Sequence, residues 1–226
     1  GILNGLDYSL WNPERDELIA RKYSLDDLEA KFNNKEELQG LCGFPKDKDT
    51  PLLGMVSRLA QQKGFDILAR CLPDICKMNL QFVILGTGDL IYHKIIQRAA
   101  KIYPKVISLH LKFDNTLAHK IYAGADIFLM PSKYEPCGLG QMISLRYGTL
   151  PLVFKTGGLA DTVNQDNGFI FDKYTKEGLL GAINEAIRAF KDKAKWSGLM
   201  KRAMQYDFSW EESAKKYLKL YEKAKE

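Results

Sequence analysis

The sequence predicts a doubly wound α/β fold, in which helices cover both faces of a parallel sheet. Two observations carry this prediction. Short apolar runs of strand length alternate with longer segments of helical periodicity along most of the chain. Glycine-containing turns separate several of the runs from the helices, and no internal repeat or low-complexity tract interrupts the alternation. With 226 residues the chain is long enough to bury a full core.

The first 50 residues precede the alternating part of the chain. Residues 1–13 predict an extended segment that ends in a turn. Residues 24–41 have helical periodicity, with Ser24 as the expected N-cap and two acids in the first turn. Residues 43–50 predict a polar loop that contains a proline.

Six strands are predicted next, each from an apolar run of strand length. They are expected at residues 52–57, 80–85, 106–111, 126–130, 150–154 and 168–171. Helices are expected at residues 66–78, 90–102, 115–124, 139–147, 176–190, 193–205 and 209–225. Ser209 followed by Glu212 predicts a capping box for the last helix. A glycine turn is expected at Thr156, Gly157 and Gly158.

We therefore expect residues 1–226 to form one domain. Its leading segment and first helix occupy residues 1–50, its α/β core residues 51–192, and its C-terminal helices residues 193–226.

The composition argues against nucleic-acid-binding, membrane and metal-binding classes of protein. Net charge is +5, and the lysines are spread along the final helices as in solvated helix faces. Nucleic-acid binding would need a clustered basic stripe with interleaved aromatics, so no nucleic-acid partner is expected. The longest apolar runs have strand length, and no membrane partner or export signal is expected. The four cysteines have no metal-ligand spacing with the three histidines, and free thiols are expected.

Polar and glycine-rich turns follow two consecutive strands. Glu135, Pro136 and Gly138 come after the strand at 126–130, and Gly157 and Gly158 come after the strand at 150–154. Carboxyl ends of parallel strands meet at one edge of a sheet, where α/β proteins bind ligands. The sequence therefore predicts a ligand site at this edge, with one carboxylate and free backbone N–H groups.

Two cations follow the first strand of the sheet. Arg58 and Lys63 are placed where they could balance the charge of a leaving phosphate group. On composition alone, two surface cations on a loop are the favoured interpretation. Gly86 and Gly88 after the second strand form G-x-G without a third glycine, so the dinucleotide fingerprint fails and a tight turn is expected there.

Four strings carry a resemblance to a known family. They are G-I-L-N-G-L-D-Y-S-L-W-N-P at 1–13, V-S-R-L-A-Q-Q-K-G at 56–64, E-P-C-G-L-G-Q at 135–141 and R-Y-G-T-L-P-L-V-F-K-T-G-G-L-A-D-T-V at 146–163. The chain closely resembles the C-terminal half of bacterial glycogen synthases and plant starch synthases. Those enzymes are retaining glucosyltransferases with two facing Rossmann-like domains, the GT-B fold. The first string normally lies mid-chain, so we expect a C-terminal domain whose partner domain is missing.

The resemblance implies a function for the chain. It would bind ADP-glucose for transfer of glucose to the 4-OH end of an α-1,4-glucan, with the acceptor reached through the N-terminal domain. No cofactor is implied, and no metal, because there is no Asp-x-Asp clamp. A bacterial protein of this kind would be cytoplasmic, and a plant one would lie in the plastid stroma. The alternatives are a nucleotide-binding module that is inactive alone, and a UDP-glucose-dependent transferase of the sucrose or trehalose type.

The resemblance also implies roles for three charged residues. Arg58 and Lys63 match the family's diphosphate-binding cations, which reverses the preference for surface cations. Glu135 is the main catalytic candidate, because its carboxylate could accept hydrogen bonds from sugar hydroxyls and respond to positive charge at the anomeric carbon. The alternative for Glu135 is an acid at a helix N-terminus, favoured by the macrodipole. Met142 stands where related transferases often carry a second glutamate, so one carboxylate would work alone.

The other donor-binding candidates lie on loops at the same edge. They are Phe113, Cys137, Gly138, Leu139, Thr156, Gly157 and Gly158. Phe113 matches an aromatic that stacks on the adenine in the family, and the alternative is a loop phenylalanine tucked into the core. Cys137 is not expected to act as a nucleophile, because no histidine lies nearby in sequence. Gly140 departs from the threonine that is usual in the motif, which puts one side-chain contact in doubt.

Overall fold

A computed structural model describes residues 1–225, and within them the strands form one six-stranded parallel sheet of order β3-β2-β1-β4-β5-β6. The predicted fold class is confirmed. Each predicted strand lies within one residue of an observed strand at both ends. The strands are β1 Leu52–Val56, β2 Gln81–Leu85, β3 Ile107–His110, β4 Ile127–Met130, β5 Leu150–Phe154 and β6 Phe169–Phe171.

Helices connect the strands and complete the chain. The α-helices are α1 Lys31–Leu41, α2 Phe65–Ile75, α3 Leu90–Ile102, α4 Asn115–Gly124, α5 Gly140–Arg146, α6 Gly157–Thr162, α7 Lys176–Lys191, α8 Lys193–Gln205 and α9 Trp210–Lys223. Short 3-10 turns lie at Leu28–Ala30 and Gln61–Lys63. Across residues 1–225, no helix combines the length and apolar content needed to cross a membrane.

The helix predicted over residues 24–41 is shorter than expected. The hydroxyl of Ser24 accepts from the Asp26 amide at 3.2 Å, and its carbonyl accepts from the Asp27 amide at 3.2 Å. These local bonds make a turn that competes with the helix. The α-helix therefore begins at Lys31, and Ser24 is not its N-cap.

Two predictions about turns and caps also need correction. The glycine turn at Thr156 to Gly158 is the start of a short helix, α6. The capping box of α9 is only half formed, because the Ser209 hydroxyl accepts from the Glu212 amide whereas Glu212 pairs with Lys215 and not with Ser209. The last residue of the predicted 193–226 segment, Glu226, lies outside the described residues.

Alternate strand residues supply two apolar layers. Leu53 and Phe82 face a layer covered by α2, α3 and α7, whereas Leu52 and Val83 face a layer covered by α1, α4 and α5. This two-sided burial explains why the strands are continuous apolar runs rather than alternating ones.

The strand order places a crevice between β1 and β4. The chain winds outward from β1 to β3, crosses back to pair β4 with β1, and winds outward again to β6. The connections after β1 and β4 therefore diverge toward opposite faces of the sheet. Such a reversal point is where open α/β sheets bind ligands.

The two ends of the chain contact each other. The Leu6 amide donates to the Phe208 carbonyl at 2.7 Å, and the Trp210 amide donates to the Leu6 carbonyl at 3.3 Å. Gly5 lies so close to α9 that an added β-carbon would stand 2.3 Å from the Cα of Trp210. The leading segment thus pairs with the residues that open the last helix.

A buried lysine joins three elements of the fold. Lys31 on α1 donates its amine to the carbonyl of Ala123 on α4 at 2.6 Å and to the hydroxyl of Thr149, just before β5, at 2.7 Å. Burial lowers the pKa of Lys31 to about 7. Its neighbour Lys35 pairs with Asp126 at 2.7 Å.

Candidate functional site

The crevice between β1 and β4 holds the three charged residues that the sequence predicts for the site. Arg58 and Lys63 lie in the connection after β1, and Glu135 lies in the connection after β4. The two connections are in direct contact. Gly64 has φ +85°, and a β-carbon there would stand 2.1 Å from the Pro131 carbonyl oxygen.

Lys63 and Glu135 form an ion pair across the crevice. The Nζ of Lys63 lies 2.5 Å from Oε2 of Glu135, and the Ser132 hydroxyl donates to the same oxygen at 3.3 Å. Glu135 is only 7% exposed. Charge-assisted bonds of this kind fix a partly buried carboxylate in place. Arg58 is exposed and has no ion-pair partner within residues 1–225.

Two glycine loops pack against each other behind this pair. The Gly158 amide donates to the Glu135 carbonyl at 2.9 Å, and a β-carbon on Gly158 would stand 2.3 Å from the Cys137 carbonyl. Gly157 has φ +42°, and a β-carbon on it would stand 2.2 Å from the Glu135 carbonyl. The prediction that the Gly158 amide is free for a ligand is therefore wrong, because that amide supports the loop that carries Glu135.

The loop after Glu135 does present free amides. Gln141 is fully buried, and its Nε2 donates to the carbonyls of Cys137 at 2.9 Å and Gly138 at 3.0 Å. The amides of Gly138, Leu139 and Gly140 donate to no acceptor within the described residues. Gly138 reaches this geometry with φ +72°. Gln141 thus holds the loop carbonyls and leaves consecutive N–H groups for an anion.

A mostly apolar cleft of about 370 Å³ opens beside the crevice. It is lined by residues from the ends of β1, β2 and β3 and from α4, among them Val56, Thr87 and Tyr122. Phe113 lines it and is 94% exposed, so the alternative of a core phenylalanine is excluded. Trp11 from the leading segment also lines it and stacks on His119 with ring centroids 4.1 Å apart.

A second, smaller cleft of about 230 Å³ lies next to the first. Its polar lining includes Lys63, Glu135 and Gly138. The two clefts share four lining residues, namely Val56, Ser57, Arg58 and Tyr122. Together they form one bipartite depression with Arg58 at the junction.

The structure does not bring every candidate into these clefts. Leu139 lines the smaller cleft, whereas Cys137, Thr156, Gly157 and Gly158 line neither. The Cys137 thiol is half-buried and lies 3.5 Å from the Gly138 carbonyl. Gly86 makes the expected tight turn, because a β-carbon there would stand 1.8 Å from the Ser57 carbonyl.

Sequence reasoning missed three residues that shape the site. Ser132 lies three positions before Glu135, a spacing that could have suggested a partner for its carboxylate. Trp11 belongs to the W-N-P string but carries no local sign of a ligand contact. Tyr122 lies on a helix whose site-facing side the sequence does not define. Within residues 1–225 no cluster of three or more His, Cys, Asp or Glu could hold a metal.

Comparisons with known proteins show which family the chain is similar to. The family model of glycosyl transferases group 1 matches residues 43–198. Curated proteins named glycogen synthase are 51% identical in Thermosipho melanesiensis, over 99% of this chain and 48% of that protein, and 51% identical in Geotalea daltonii, over 98% and 47%. The catalytic domain of starch synthase IV from Arabidopsis thaliana, solved with ADP and acarbose, has a TM-score of 0.92 and 34% identity, over 99% of this chain and 48% of that chain.

The chain therefore spans about half the length of the curated relatives it matches. The family model covers more than two thirds of the chain, from the loop before β1 to α8, and includes both connections that form the crevice. The chain belongs to the glycosyl transferases group 1 family.

Proposed function

We propose that the chain is the donor-binding half of a glycogen or starch synthase. The whole enzyme would transfer glucose from ADP-glucose to the 4-OH end of an α-1,4-glucan with retention of configuration. The names of the relatives that are about half identical support the reaction, and the ADP bound to the Arabidopsis starch synthase supports the nucleotide. The acceptor glucan would be held by the other half of the enzyme.

The bipartite depression is the observation that carries the proposal. A nucleoside diphosphate sugar has an aromatic base with flat faces for stacking, a charged diphosphate and a polar sugar. The larger cleft offers apolar surface and the exposed ring of Phe113 for the base. The smaller cleft offers Glu135 and Lys63 for the sugar end. Arg58 at the junction matches the diphosphate.

The charges at the junction suggest how the residues act. As the bond between sugar and phosphate breaks, negative charge grows on the diphosphate, and Arg58 and Lys63 would balance it. The free amides of Gly138 to Gly140 would add fixed dipoles at the same place. Glu135 would face the positive charge that develops on the sugar.

Glu135 would perform this role without a second carboxylate beside it. Residue 142 is a fully buried methionine in the apolar layer of α5, so it does not reach the crevice. The ion pair with Lys63 keeps Glu135 oriented when no donor is bound. When a diphosphate enters, Lys63 would share its charge between the carboxylate and the phosphate oxygens.

The proposal is tested by calorimetry on the chain itself. ADP is titrated into the wild type, into Arg58→Ala and into Arg188→Ala, an exposed arginine on α7 that lines a different depression beside β6. We expect Arg58→Ala to weaken ADP binding about tenfold or more, as for loss of a charge-assisted hydrogen bond. Arg188→Ala should bind like the wild type.

Two results would contradict this proposal. One is a wild-type chain that binds no ADP at millimolar concentration, and the other is the same ADP affinity in Arg58→Ala and the wild type. A parallel titration with UDP addresses the donor base. Clearly tighter binding of UDP than of ADP would favour the UDP-glucose-dependent alternative over the ADP-glucose-dependent reaction.

A further inference from the structure

Tyr122 on α4 is a buried tyrosine whose hydroxyl has no protein partner. The residue is 5% exposed, its backbone carbonyl accepts from the Thr149 hydroxyl, and its own hydroxyl makes no hydrogen bond to any residue between 1 and 225. Two other buried tyrosines donate their hydroxyls to protein acceptors. Tyr23 donates to the Tyr147 carbonyl at 2.7 Å, and Tyr147 donates to Asp16 at 2.6 Å. The Tyr122 hydroxyl is not sealed from solvent and Tyr122 lines both clefts, so this hydroxyl is open to a ligand that the protein itself does not supply.

The hydroxyl lies beside the loop that presents free amides. A β-carbon on Gly140 would stand 3.3 Å from the Tyr122 oxygen and 3.2 Å from Sδ of Met130. Because residue 140 is a glycine, no side chain fills this space or caps the hydroxyl. The Tyr122 oxygen and the unused amide of Gly140 therefore border the same space.

Tyr122 also lies at the junction of the two clefts. It lines both of them, as do Ser57 and Arg58. A ligand with its base in the larger cleft and its sugar in the smaller one would carry its diphosphate across this junction. The part of the ligand nearest the hydroxyl would then be an array of anionic oxygens, which are strong hydrogen-bond acceptors.

We propose that the Tyr122 hydroxyl donates a hydrogen bond to the diphosphate of the bound nucleotide sugar. This inference rests on the proposed function and adds a binding residue to its site. Burial raises the pKa of Tyr122, so its hydroxyl keeps its proton across the physiological range and acts as a donor. Arg58 supplies charge at the junction, and Tyr122 supplies a directed neutral donor from α4.

The test compares Tyr122→Phe with Tyr23→Phe by calorimetry and thermal melting. Tyr122→Phe removes only an oxygen without a protein partner, so the melting temperature should stay within about a degree. It should weaken both ADP and UDP about tenfold or more, because the lost bond goes to the diphosphate and not to the base. Tyr23→Phe removes a satisfied buried bond, so it should melt several degrees lower and bind ADP like the wild type.

The outcomes separate this inference from the proposed function. Equal ADP affinity in the wild type and Tyr122→Phe overturns the inference and leaves the proposed function standing. A loss seen with ADP but not with UDP also overturns it, because the contact would then be with the base. A wild-type chain that binds neither nucleotide overturns both.

Discussion

Glu135 and Lys63 lie 72 residues apart in the sequence and form the ion pair at the centre of the site. Each was predicted to act on a different part of the donor, the carboxylate on the sugar and the ammonium on the diphosphate. Their contact couples the two roles, because removing the charge of one residue leaves the charge of the other without its ion-pair partner.

We predict that Glu135→Gln separates the two roles. The amide keeps the shape of the side chain but removes a negative charge next to Lys63, so ADP should bind as tightly as in the wild type or a few-fold more tightly. ADP-glucose should lose affinity relative to ADP, because the charged contact with the sugar is gone. Calorimetry with ADP and with ADP-glucose measures the ratio of the two affinities in each variant.

A matched control is Glu185→Gln, which changes an exposed carboxylate on α7 at the depression beside β6. Its affinities for ADP and ADP-glucose should equal those of the wild type. Weaker ADP binding in Glu135→Gln would contradict the prediction, since it would mean that the carboxylate itself supports the diphosphate site.

The sequence predicted where the charged residues of the site lie, but not which side chains they contact. Strand ends and glycines place Arg58, Lys63 and Glu135 at one edge of the sheet, which the structure confirms. The distance between Lys63 and Glu135 depends on the path of two loops, and no local pattern encodes that path. The hydroxyl of Tyr122 was invisible for a similar reason, because helical periodicity gives the buried side of α4 and not the atoms it faces.

At the scale of elements, α6 supports the loop that carries Glu135. The helix starts at Gly157, and its second residue donates the amide that holds the Glu135 carbonyl. The fully buried Gln141 on α5 reaches across to the Thr162 hydroxyl at 3.1 Å. Because α5 and α6 both hold the loop that carries Glu135, small side-chain changes in α6 should shift that loop at the crevice.

Gly158→Ala should therefore lower both stability and ADP affinity. Its β-carbon would stand 2.3 Å from the Cys137 carbonyl, so the Glu135 loop must shift. Such overpacking costs about 1–3 kcal/mol of unfolding free energy. Gly181→Ala on α7 is the control, because nothing lies within 4 Å of the added carbon. This control should gain about 0.5–1 kcal/mol from helix propensity.

Denaturant unfolding and ADP titration check both variants. If Gly158→Ala is as stable as the wild type, the two loops are less tightly packed than the structure indicates.

Most elements could be predicted because burial on both faces makes each strand an uninterrupted apolar run. The helix α6 could not, because two consecutive glycines favour a turn and the helix is held by its contact with Glu135 and Cys137. The first helix was predicted too long because a residue typical of helix N-caps, Ser24, lies in a separate turn. Ser24 has the side chain of an N-cap, but its hydroxyl bonds the amide of Asp26 in a separate turn.

At the scale of the whole molecule, Lys31 ties α1 to α4 and to the residue before β5. Its pKa is about 7 in the folded protein, whereas an exposed lysine has its usual value near 10.5. Between these values the unfolded chain binds one proton more than the folded chain. The free energy of unfolding should therefore rise with pH in this window, and the contribution of Lys31 should level off below about pH 7, where both states carry the proton.

We predict that the free energy of unfolding of the wild type increases relative to that of Lys31→Met as the pH rises from 7 to 10. The increase should be up to about 1.4 kcal/mol per pH unit. Denaturant unfolding at several pH values measures it. Lys201→Met, at an exposed position on α8, should leave the slope unchanged. If the difference in unfolding free energy between the wild type and Lys31→Met did not change with pH, the carbonyl of Ala123 and the hydroxyl of Thr149 would be keeping the amine charged.

The pairing of Leu6 with Phe208 and Trp210 has a mechanical consequence. Two segments that lie side by side and share hydrogen bonds resist bending and twisting far more than a single strand does. A torque applied to the leading segment would pass directly to α9, and a rotation of α9 would carry the leading segment with it. The leading segment and the start of α9 should therefore move together as one unit rather than independently.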